Sequence, residues 1–120
     1  MKLYRSIAFG ALALNACTSS AYVPASHVLD TQNAIGAADG AGAAQSPQAD
    51  LHLRLAREQY ASARRLMKRG AAAQADALLL RAQADAQLAL SLARESSAQA
   101  EARETSDRIR ALSTISTTQP

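Results

Sequence analysis

Few residues in this 120-residue chain could do chemistry: one cysteine, two histidines and ten carboxylates. One thiol cannot close a disulfide, and one Cys with two His cannot build a Cys/His zinc centre, so the counts alone exclude both frameworks. There is no glycine-rich phosphate loop, no G-x-S-x-G, no H-E-x-x-H and no Ser/His/Asp grouping. His52 could act as a ligand or an acid/base group, but it has no second His in register and is expected to be a half-buried, hydrogen-bonding residue. Asp76 with Asp85, or Glu101 with Glu104, could be paired as general acid and base. Without an apolar pocket around them they read as helix-surface charges. Nothing here specifies a reaction, and no enzymatic activity, cofactor or metal is expected.

Cys17 is set apart by its surroundings. Lys2 and Arg5 form a short basic region, and Ile7 to Ala13 form an apolar run broken only by Gly10. That pattern is a secretory signal, too short to cross a bilayer, which takes about 20 apolar residues. The run ends in Leu14-Asn15-Ala16-Cys17, which resembles the lipobox of bacterial lipoproteins: an apolar residue, then a small one directly before the cysteine. The resemblance implies that the Cys17 thiol receives a diacylglyceryl group, that residues 1–16 are cut away and that the new amino terminus is acylated. Each buried methylene contributes about 0.8 kcal/mol, so two or three acyl chains hold far more firmly than one. Thr18 stands where the inner-membrane retention signal of enteric lipoproteins has Asp, which implies a lipid-anchored protein on the outer membrane, facing the periplasm. The plain alternative is an ordinary secretory signal followed by an incidental cysteine.

Processing changes the charge argument. The whole chain carries 13 basic and 10 acidic residues, a net +3, and losing Lys2 and Arg5 brings this to +1. The sequence pI near 9.5 is therefore no argument for a nucleic-acid partner. What survives is local: Arg54, Arg57, Arg64, Arg65, Lys68 and Arg69 are opposed within their segment only by Glu58. These cations are either a solvated helix face or an attraction for anionic lipid, lipopolysaccharide phosphates or an acidic partner. Arg54, Arg57, Arg64, Arg65 and Lys68 form the candidate anionic-partner face.

The elements that position these groups are expected to be helices. Hydrophobic residues make up 48% of the chain, yet most of that share is alanine, and there is no Trp and one Phe. Alanine favours helix over sheet, and the resulting core is thin. Residues 17–25 read as a lipidated tether and residues 26–112 as one helical domain. Within the domain, Ser26 is a candidate cap for a short helix carrying Val28, Leu29, Gln32 and Ile35, weakened at Gly36. Gly40 to Pro47 reads as a turn, with Ser46 as cap and Pro47 in the first helical position. The helix from Pro47 to Arg69 gathers Leu53, Leu55, Ala56, Tyr60, Ala63, Leu66 and Met67 on one face, with Gly70 as its C-cap.

From Ala71 onward, Ala75, Leu79, Ala82, Ala86, Ala89, Ala93, Ser96 and Ala100 recur in steps of three and four, a heptad stripe of small residues that lets helix backbones approach closely. Asp76 in its first turn and Arg108 and Arg110 near its end would suit the helix dipole. The expected fold is all-α: an antiparallel helical hairpin with a short preceding helix, together a small three-helix bundle, and a long protruding C-terminal helix. A turn at Gly70 sets Asp85 opposite residue 56, with Arg57 or the Tyr60 hydroxyl as its expected partner. The second helix can cover the third only as far as about Arg94. Ala98, Ala102, Ile109 and Leu112 are then contacts open to a partner helix, flanked by Glu101, Arg103, Glu104 and Arg108. Residues 113–120, rich in Ser and Thr, are expected to fray as a flexible tail.

Gly42-Ala43-Ala44-Gln45-Ser46-Pro47, Leu51-x-x-x-Leu55-Ala56-Arg57, Gly70, Ala75-x-x-Leu78 and Ala82-x-x-Asp85-Ala86-x-x-Ala89, in this order behind a lipobox, resemble the bacterial lipoprotein family catalogued as domain of unknown function 4398. The resemblance covers roughly Ser26 to Arg94. It implies an envelope lipoprotein with a helical hairpin and brings no catalytic residues with it. Two function classes follow. One is a structural or adaptor lipoprotein, anchored by its acyl chains and docking an envelope protein or a second copy of itself. The other is a module that binds peptidoglycan or another anionic glycan or lipid through the basic face.

Overall fold

The structure, a computed structural model, describes residues 22–117. Leu14, Asn15, Ala16 and Cys17 therefore lie outside the described residues. Three helices follow one another: α1 (Ala25–Gly40), α2 (Pro47–Lys68) and α3 (Ala72–Thr117), with a single 3-10 turn at Ala43–Gln45 between the first two. The chain is all-α, a hairpin of α2 and α3 joined by α1 into a small bundle, with α3 running far beyond it.

Proline and glycine punctuate the chain where their backbone restrictions predict. Pro47 opens α2, where its missing N–H would have had no partner in any case. Ser46 occupies the capping position, but its hydroxyl makes no cap bond. Its carbonyl instead accepts the Asp50 amide at 2.8 Å. At the other end Gly70 adopts φ +74°. The Ala71 amide bonds Leu66 O and the Gly70 amide bonds Met67 O, each at 3.0 Å. That pair of bonds is a Schellman cap, which needs a left-handed residue.

The small-residue stripe is the core. Ala75, Leu79, Ala82, Ala86, Ala89 and Ala93 on α3 are buried, and they meet Ala49, Leu53, Ala56 and Ala63 on α2. Two apolar clusters result. One, at the turn end, joins Val23, Ala63, Ala75 and Leu79. The other joins Ala38, Ala43, Ala49, Leu53, Ala89 and Ala93. Since Ala63 sits with Ala75 and Ala49 with Ala89, α2 and α3 are antiparallel. Val23 sits with Leu79 and Ala38 with Ala89, so α1 runs parallel to α3.

Several expectations are corrected. The short helix packs chiefly against α3, to which His27 and Thr31 tie it, while Asp39 ties it to Arg57 of α2. Ser26 is not its cap: the helix starts at Ala25 after Pro24, and no side chain caps it. The His27 amide bonds Pro24 O at 3.0 Å. The tether ends earlier than residue 25, since Val23 is already buried. Gly36 lies inside the helix, which continues to Gly40. Asp76 is beyond the first turn of α3, and neither Arg108 nor Arg110 is in its last. The helix does not fray at Leu112 but continues to Thr117. Ser113 and Thr114 bond Arg110 O, and Ser116 bonds Leu112 O, so each hydroxyl folds back onto a helix carbonyl and leaves the helix unbroken.

Candidate functional site

Four polar ties hold the bundle between and beside its two apolar clusters. At mid-hairpin, the Asp85 carboxylate lies 3.0 Å from His52 Nδ1 and 2.8 Å from Gln59 Nε2, which donates to it. Residues 52, 56 and 59 fall on one face of a 3.6-residue helix, so α2 presents His52 and Gln59 on either side of Ala56. The register that sets Asp85 opposite residue 56 is the one observed. The partner differs from expectation, because Arg57 is about 140° round the helix from His52 and pairs with Asp39 of α1 at 2.9 Å. His52 is the half-buried, hydrogen-bonding residue its isolation predicts.

The other ties belong to α1. His27 Nδ1 lies 2.5 Å from Asp76 Oδ1. Thr31 is fully buried, and its hydroxyl sits 2.7 Å from His27 O and 3.1 Å from Leu79 O, sharing one proton between its own helix and α3. A buried hydroxyl so placed satisfies itself and fixes the axial position of α1. His27, Thr31 and Asp39 carried no distinguishing signal in the sequence. Gln59 alone was findable, since it lies seven residues after His52 and so faces the same carboxylate.

None of these groups lines either of two depressions on the surface of the described residues. One is an open apolar groove of about 660 Å³ at the turn end, lined by Tyr22, Val23, Val28, Leu29, Met67 and neighbouring small residues. The other is a polar dip of about 250 Å³ on the free part of α3, lined by Ala102, Arg103, Ser106, Asp107 and Arg110. Neither contains a histidine. Among the described residues no cluster of three or more His, Cys, Asp or Glu could hold a metal, and no helix is long and apolar enough to cross a membrane.

The proposed basic face divides in two. Arg54 pairs with Asp50 at 3.1 Å, and Arg57 with Asp39, so the first two cations are answered within the chain. Arg65 donates to the Ser62 hydroxyl at 2.8 Å. No ion pair among the described residues engages Arg64, Arg65, Lys68 or Arg69; the first three lie in the last turns of α2 and Arg69 is its C-cap.

Beyond Ala93 every described side chain of α3 is exposed. Ile109 is 62% exposed, and Leu112 and Ile115 are each 65% exposed. Ala98, Ala102, Ile109 and Leu112 share an arc of about 80°. The expected contact residues are thus brought onto one face. That face is not the continuation of the buried stripe, whose next heptad positions after Ala100 are Arg103, Asp107 and Arg110. Arg110 bonds Asp107 at 3.0 Å and Arg108 pairs with Glu104, ion pairs that lie along the free helix.

The chain matches the family model described as domain of unknown function (DUF4398) over residues 27–105. That span takes in α1, the hairpin and the first part of the free helix. No curated protein and no solved structure matches the chain. The matched span contains the hairpin read from the sequence, and the chain belongs to the DUF4398 family.

Proposed function

We propose that the protein is a non-catalytic envelope lipoprotein, held by acyl chains on Cys17 at the periplasmic face of the outer membrane, where it presents the free part of α3 to another envelope protein or to a second copy of itself. The exposed helix from Arg94 to Thr117 carries this reading. A single solvated helix of that length gains little from propensity alone, yet it keeps Ile109 and Leu112 on one face with Ala98 and Ala102. A non-catalytic reading is supported by the structural work that both His–Asp pairs perform between helices and by the apolar groove's lining, which holds no His, carboxylate, Lys or Arg.

The test separates anchor from adaptor. Mass spectrometry of the mature protein reads the state of Cys17, and Cys17→Ala is expected to release the protein from the membrane fraction; wild-type fractionation of that variant would sink the anchor. Deletion of Glu95 to Pro120 is expected to leave the bundle folded and to remove crosslinked envelope complexes or self-association. Retention of every complex would refute the adaptor role. Salt-sensitive pull-down with purified sacculi, unaffected by the deletion, would favour the glycan-binding alternative through Arg64, Arg65 and Lys68.

A further inference from the structure

We infer that the turn end of the bundle is a membrane-docking surface, in which the apolar groove between α1 and the α2–α3 turn sits on the headgroup region of a bilayer containing anionic phospholipid. Apolar side chains that the fold leaves uncovered lie here together: Tyr22 is 80% exposed, Leu29 56% and Met67 38%. The groove they line with Val28 contains no charged residue. Its rim is cationic. Arg64 and Lys68 stand three residues before and one after Met67 on α2, about 60° and 100° round the helix from it. The carboxylates near this end are turned away or engaged: Asp76 is held by His27, and Asp30 lies on the opposite face of α1 from Val28, Leu29 and Gln32.

Exposed aromatic and aliphatic groups flanked by Lys and Arg are the pattern of a surface that inserts shallowly among lipid headgroups. Chain direction gives the same answer. Tyr22 is at the groove and is five residues from Cys17, a span of at most about 18 Å. This step rests on the anchor reading above: acyl chains at Cys17 would bring this end, rather than the end where α3 projects, to the bilayer. The docked bundle then directs the free helix away from the membrane.

The mature chain carrying Tyr22→Trp has one tryptophan, since the natural sequence has none. It is reconstituted in vesicles of phosphatidylcholine alone or with phosphatidylglycerol, each with brominated acyl chains as quencher. The expected result is blue-shifted, quenched emission only with phosphatidylglycerol. Arg64→Glu with Lys68→Glu should lower the docked-to-undocked ratio at least about tenfold. Leu29→Asp with Met67→Asp should abolish quenching while helical circular dichroism is unchanged. No quenching in anionic vesicles overturns the proposal. Equal quenching in both vesicle types also overturns it, placing an acyl chain rather than the headgroup surface at the groove. Flotation with neutral vesicles reads the anchor independently, so a failed anchor and a failed docking surface give different results.

Discussion

The two parts of α3 are made of similar residues and do opposite things. From Ala72 to Ala93 the helix has a face of Ala and Leu that two other helices cover. From Arg94 to Thr117 alanine persists, but the stripe positions become Arg103, Asp107 and Arg110, and no other described element covers them. Helix propensity is therefore shared by both parts, and what separates them is whether a continuous small-residue seam exists. The seam works through close approach: an alanine face sets the backbones near one another, and a large side chain at one of its positions would push them apart. The free part relies on local hydroxyl bonds and ion pairs, which shape a helix without fastening it to anything.

Truncating large buried residues should give the widest divergence between the two parts. Leu53 and Leu79 are the largest apolar side chains fully enclosed in the bundle. Leu79→Ala is expected to cost about 2–5 kcal/mol of unfolding free energy, whereas Leu112→Ala should stay within about 0.5 kcal/mol. Denaturant titration checks both. The reverse substitution probes the seam directly. Ala86→Leu overfills a fully buried position and should cost about 1–3 kcal/mol, while Ala102→Leu, on the free face, should be neutral or slightly unfavourable. Equal effects of the two would mean that close approach does not organise the bundle.

Polar contacts sharpen the same contrast at smaller magnitude. Asp85→Ala leaves both His52 and Gln59 without their partner and should cost about 1–3 kcal/mol. Asp107→Ala removes only an exposed pair with Arg110, worth at most about 1 kcal/mol. A thermal melt distinguishes them. At the hairpin turn, Gly70→Ala meets no neighbouring atom, so its cost is purely that of placing an L side chain at φ +74°. It is expected to be about 1 kcal/mol or somewhat more.

The hairpin was legible because its signals are local and redundant. Pro47 and Gly70 mark its ends, the α3 stripe identifies the buried face, and the difference in helix lengths locates where burial stops, at Ala93. The register of Asp85 followed from the turn. Its partner did not, since choosing among His52, Arg57, Gln59 and Tyr60 requires knowing which face of α2 turns inward at that level. The seat of α1 was less legible still. A short helix whose docking depends on Thr31 reaching Leu79 O and on His27 meeting Asp76 has no periodic signature. The groove escaped the sequence reading for a related reason: Tyr22, Leu29 and Met67 come from separate elements and converge only when α1 lies on α3. The end of α3 runs past the point where Ser and Thr propensities predict fraying, and their hydroxyls bond carbonyls one turn back.

The smallest expected effect concerns the free helix by itself. Ala102 lies in an exposed stretch with no tertiary neighbour among the described residues, so replacing it with glycine acts on helix propensity alone, a penalty of about 1 kcal/mol. In a bundle helix that penalty would pass into the cooperative melt. Here it should pass instead into local fraying, because the segment can open without disturbing the seam. Ala102→Gly should therefore reduce the ellipticity at low temperature and speed amide exchange from residue 94 onward, with the main melting transition unmoved. The same substitution at Ala82, in the seam, should lower that transition and leave exchange in the free part as it was. A shift of the main transition by Ala102→Gly comparable to that of Ala82→Gly would show that the free helix is already packed in solution, against a second copy of the chain.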